Sequence, residues 1–108
     1  MSPIYSPGRE KTVNDAGLTL EYIRDEIKNA VDIMANSGDQ NIYYLDGLTV
    51  FDNQYENLLP DSLHPNDEGY SIMAGKISNF IKFRLWLLSF SHLRSDYKLT
   101  NRRWNICA

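Results

Sequence analysis

The chain has 108 residues, 43% hydrophobic and 23% charged, the balance of a globular domain rather than a disordered or fibrous chain. Its single cysteine, Cys107, excludes an internal disulfide. No run approaches the ~18 apolar residues of a membrane span, and MSPIYSPGREK holds no signal-peptide core, so compartment stays open.

The net charge of −3 hides an asymmetry: residues 1–82 carry 6 basic and 13 acidic side chains, residues 83–108 carry 5 and 1. Residues 2–9, SPIYSPGR, hold two prolines and a glycine and read as loop or the end of a strand. Residues 17–36 predict a helix, with Gly17 a weak position that leaves its start open to falling after that glycine. Leu20, Ile23, Ile27, Val31 and Met34 recur at steps of three and four and form one apolar stripe. Asn14 or Asp15 is placed to cap its start, and Gly38 suits the left-handed position past its last turn.

Residues 41–46, NIYYLD, predict a strand, because a nearly continuous apolar run suits a strand covered on both faces in a parallel sheet. Residues 48–64 read as loop with a short turn around Phe51–Tyr55. A second helix is expected over 67–82, burying Tyr70, Met73, Ala74, Ile77 and Ile81. Asn66 is its N-cap, and Asp67 and Glu68 fall in the first turn, where the helix dipole favours negative charge. Beyond Lys82, FRLWLLSFSHL fits a longer helix or a strand equally. The order loop, helix, strand, loop, helix is that of an incomplete α/β unit. Residues 1–82 are expected to form it, with 83–108 as a basic, aromatic tail carrying Trp86 and Trp104. Arg102 and Arg103 are adjacent, but the tail's other basic residues are scattered among leucines and aromatics, so nucleic acid is not the expected partner.

The stretch that carries chemistry is 58-LLPDSLHPNDEGYSIMAGKI-77. A histidine acting as general base must hold the right tautomer and have its imidazolium stabilised. A carboxylate on Nδ1 supplies both. Asp61 and His64 meet if residues 61–64 form a tight turn. Pro65 then restricts His64 to extended backbone angles and starts the helix with a fixed φ. The plain alternative is a helix entry in which Asp61 bonds its own backbone and His64 is merely exposed. A metal held by Asp61, His64 and Asp67 is disfavoured, because the other histidine, His92, lies in the tail.

The longer run tips the balance. LPDSLHPNDEGYSIMA resembles the last conserved block of the SGNH hydrolases, the GDSL-type esterases and lipases. Asp61, His64, Pro65, Asn66, Gly69, Tyr70, Met73 and Ala74 match that block at the same spacing over 14 residues. IYYLDG and Ser2-Pro3-Ile4 resemble the ends of the family's last two strands, so the resemblance covers residues 2–82. It implies the C-terminal portion of a three-layer α/β/α, flavodoxin-like sandwich, incomplete in this chain. It also implies a cofactor-free Ser-His-Asp mechanism of carboxylic ester hydrolysis in which Asp61 orients and His64 is the base. The substrate class it implies is an acyl ester or acetylated carbohydrate.

The rest of the family's machinery is missing. The sequence has no Gly-Asp-Ser, no Gly-x-Ser-x-Gly and no Gly-x-Asn-Asp. None of its serines stands between a predicted strand and a helix start, where a nucleophile would be exposed. The nucleophile block is expected upstream of Met1, on the same polypeptide or a complementing chain, leaving these residues inactive alone. Two other readings stand beside this one. The first is a small non-enzymatic module that binds through its Leu- and Trp-rich tail. The second is a minimal hydrolase using another serine, Ser62 or Ser71 first.

Overall fold

A computed structural model describes the backbone of residues 1–107 and the side chains of residues 1–87. Its regular elements are helix α1 (Leu20–Asn36), helix α2 (Gly47–Val50), a 3-10 turn (Asn53–Leu58) and helix α3 (Asp67–Cys107). No strand or sheet forms among the described residues, so the architecture is all-α. This corrects the expectation of an α/β/α portion.

Residues 41–46 lie outside any regular element, and the reason is visible in their neighbour. A strand exists only as a paired object. The adjacent segment offers one backbone bond, Ser2 N–H to the Leu45 carbonyl at 3.0 Å. Pro3 has no N–H to continue a ladder. The carbonyls of Pro3 and Ile4 are instead taken by Arg24, through Nε at 2.8 Å and Nη2 at 3.0 Å. Ser2 is buried, and its Oγ accepts from Gly47 N–H at 2.9 Å and from the Tyr44 hydroxyl at 3.0 Å. Glycine is required at 47: a Cβ there would stand 2.3 Å from the Pro3 carbonyl oxygen.

Helix α1 begins at Leu20, past the weak position at Gly17. Thr19 is the N-cap, accepting from Tyr22 N–H at 3.2 Å. Asn14 builds a separate turn, its Oδ1 accepting from the N–H groups of Ala16 and Leu18, and Gly17 in that turn has φ 79°. The C-terminus follows its expected form. Gly38 has φ 106°, its N–H reaches the Ala35 carbonyl, and Asp39 N–H reaches Met34. Leu20, Ile23, Ile27 and Val31 are half-buried, whereas Met34 is exposed. The one fully buried side chain of α1 is Arg24.

Two units divide the chain, Met1–Lys76 and Ile77–Ala108. The first holds a small core of Phe51, Leu58 and Leu59, with Ile4, Tyr5, Tyr55, Ile72 and Met73 packed against it. The Phe51 and Tyr55 rings lie 5.4 Å apart, and Lys76 Nζ stands 4.6 Å from the Tyr55 ring centroid. The start of α3 therefore buries Gly69 and half-buries Ile72 and Met73, while the expected contributors Tyr70 and Ala74 are exposed. In the second unit the Phe83 and Trp86 rings stack at 6.5 Å. The side chains of His92, Arg102, Arg103, Trp104 and Cys107 lie outside the described residues. No helix among the described residues is long and apolar enough to cross a membrane.

Candidate functional site

The site is a loop between two anchors. Leu58 and Leu59 are buried at its start, and Asn66 N–H closes it by donating to the Leu58 carbonyl at 2.9 Å. Inside, Ser62 N–H donates to the Leu59 carbonyl at 3.0 Å, and Ser62 takes a left-handed φ of 62°. It is the one non-glycine residue with positive φ among the described residues. This reversal turns the chain so that Leu63 and His64 point back at Asp61.

Asp61 uses both carboxylate oxygens. Oδ1 accepts from Leu63 N–H at 3.0 Å and from His64 N–H at 2.6 Å. Oδ2 lies 2.5 Å from His64 Nδ1. An ionised carboxylate can only accept, so Nδ1 carries the proton and Nε2 of the neutral ring keeps its lone pair. The bond to the His64 ring, followed by the backbone N–H groups of His64 and Leu63, holds the Asp61 carboxyl well below the usual carboxylate range. The Asp61 and His64 side chains are 53% and 68% exposed, so the imidazole faces solvent.

The loop leads straight into α3. Pro65 is buried, and Asn66 caps the helix through Oδ1, which accepts from Gly69 N–H at 2.9 Å. Gly69 lets the first turn close on Pro65: a Cβ at 69 would stand 2.8 Å from Pro65 Cβ and 3.2 Å from the Phe51 ring. The imidazole is thus mounted on a residue whose following proline is packed against the core.

Asp61 and His64 are the sequence-predicted site residues, and the structure brings them together. Asp67 is not bonded to either, and no group of three metal-ligating side chains gathers among the described residues. No serine among the described residues is hydrogen-bonded to His64. Ser71 Oγ is turned onto the Asp67 carbonyl at 3.0 Å. The arrangement can orient an imidazole, accept a proton at Nε2 and stabilise the charge that results. Sequence reading missed Ser6, whose Oγ donates to the Ser62 carbonyl at 2.8 Å. No spacing signal exists for a contact between residues 56 positions apart.

No family model matches the chain, and no curated protein matches it. Among solved structures it is similar to a salicylyl-acyltransferase, SsfX3, from a tetracycline biosynthetic pathway, with 31% identity and a TM-score of 0.57. The match covers 68% of this chain and 23% of that one, so the chain spans less than a quarter of that protein's length.

Proposed function

We propose that this chain supplies the acid and base of an SGNH/GDSL-type serine esterase, Asp61 orienting and His64 accepting the proton. The observation that carries the reading is the 2.5 Å contact between Asp61 Oδ2 and His64 Nδ1, with the imidazole facing solvent. The matching D-x-x-H-P-N block and the 31% identity to an acyltransferase support it. In the reaction, a serine hydroxyl from outside these 108 residues attacks the ester carbonyl while His64 Nε2 takes its proton. The imidazolium, held by Asp61, returns that proton to the departing alcohol. Water then releases the acyl group by the same two transfers. A second alcohol in place of water would make the outcome acyl transfer, the chemistry named for the similar structure. The substrate class is an acyl ester or an acetylated carbohydrate.

The test is hydrolysis of p-nitrophenyl acetate by the pure chain, with and without a polypeptide carrying a Gly-Asp-Ser block. Alone, the chain is expected to match its His64→Ala control, because the imidazole has nothing to deprotonate. Turnover with the complement should vanish in His64→Ala and fall by up to ~10⁴ in Asp61→Asn, where the wrong tautomer is held. Activity of the chain alone that depended on His64 would point to Ser62 or Ser71 and overturn the two-part reading. A second reading, a non-enzymatic binding module, is favoured by Phe83, Leu85 and Trp86, each more than half exposed. Complement-independent capture of a partner that Trp86→Ala abolished would support it.

A further inference from the structure

The peptide unit joining Ser62 to Leu63 is held at both ends. Its N–H donates to Asp61 Oδ1 at 3.0 Å, and its carbonyl accepts from Ser6 Oγ at 2.8 Å. Ser62 sits at φ 62°, a region that residues with a Cβ occupy only when their surroundings hold them there. Rotation of this peptide would withdraw the Leu63 N–H from Asp61, leaving the His64 N–H as the one backbone donor on Oδ1 and loosening the carboxylate's hold on the ring.

Ser6 is itself fixed. It is 4% exposed, and its N–H donates to Glu10 Oε1 at 3.0 Å. Arg24 grips Glu10 through both oxygens, Nη2 to Oε1 at 2.9 Å and Nη1 to Oε2 at 2.5 Å. Two further N–H groups of Arg24, on Nε and Nη2, hold the carbonyls of Pro3 and Ile4. Arg24 is only 6% exposed, and a buried guanidinium is costly unless paired and hydrogen-bonded; here its partners converge on the segment that carries Ser6.

We infer that Ser6 is a positioning residue for the Asp61–His64 pair. Its hydroxyl holds the peptide after Ser62, and the Glu10–Arg24 pair holds Ser6. This rests on the reading of Asp61 and His64 as acid and base, but its direct consequence is the geometry of the pair rather than turnover.

The experiment is NMR on the full chain, following the low-field Nδ1 proton of His64 and the titration of the Asp61 carboxyl carbon. In folded Ser6→Ala the proton signal should broaden into exchange with water, and the Asp61 midpoint should rise toward its ordinary value. Ser62→Gly added to Ser6→Ala should restore both, because glycine takes positive φ without steric cost. A role confined to general stability would not be rescued in this way. A folded Ser6→Ala with both signals unchanged overturns the inference, as does failure of the glycine to restore them. Should Ser6→Ala not fold, Ser6→Cys keeps the bulk and weakens the donor. An unchanged Asp61 titration in that folded variant overturns the inference too. Complemented ester turnover is read separately. Its absence, with the NMR changes present, sinks the esterase reading alone. Normal turnover and NMR in Ser6→Ala sink the positioning role alone.

Discussion

Asp61 accepts three hydrogen bonds, two of them from His64. Its folded pKa is depressed, so the stabilisation it gives is fully present above the ordinary value of 3.8 and is lost as pH falls below it. The 61–64 turn is therefore expected to stay ordered through neutral and mildly acid solution and to loosen only below the usual carboxylate range. The Asp61 carboxyl carbon shift against pH checks this. Gly69 offers a second case in which competing effects must be weighed. Alanine inside a helix normally gains ~1 kcal/mol over glycine. Here the added Cβ would meet Pro65 Cβ at 2.8 Å, a rigid ring that cannot swing aside. Overpacking costs typically ~1–3 kcal/mol, so Gly69→Ala should lower stability on balance, measurable by urea unfolding. Asp61, His64, Pro65, Asn66 and Gly69 were legible in the sequence because each acts on a residue within a few positions of itself. Ser6 was not, since its partner is 56 positions away.

At the scale of elements, end signals were more readable than pairing. Gly38 closes α1 because a left-handed residue there is a local requirement. The start of α1 falls past Gly17, but its cap is Thr19 rather than Asn14 or Asp15, because Asn14 uses its side chain on its own turn. The apolar run at 41–46 has the composition of a strand, but composition cannot supply the partner whose carbonyls Arg24 has taken. Arg24 is thus the link between α1 and the N-terminal segment. Replacing it with methionine leaves the half-buried Glu10 without its countercharge and the Pro3 and Ile4 carbonyls without their donors, at a cost of ~1–3 kcal/mol. Arg24→Met is expected to lower stability accordingly in urea titration. Loosening should be seen first in hydrogen exchange at Ser6, whose N–H is held by Glu10.

Across the whole molecule the apolar ledger is short: Val50, Phe51, Leu58 and Leu59 are the buried hydrophobic residues among those described. Phe51 is 0% exposed and touches both the 3-10 turn and the start of α3. Phe51→Ala removes ~3–5 kcal/mol from a native state whose total is typically ~5–15 kcal/mol. The variant is expected to melt well below the parent by circular dichroism, whereas Phe83→Ala, on an exposed side chain, should shift the melting temperature little.

The bond from Asn66 N–H to the Leu58 carbonyl has a kinetic meaning beyond its place in the site. It closes a ring of nine residues, and rings of about ten residues close in ~10–100 ns. Asp61 and His64 both lie inside that ring. Their first encounter is local and becomes available during synthesis as soon as residue 66 has left the ribosome, with the hold by Ser6 added when the N-terminal segment docks. Asp61 and His64 also sit within four successive codons, so a recombination event that moves one almost always carries the other. A pair encoded this way is inherited as a unit, which is what the proposed role of Asp61 and His64 requires.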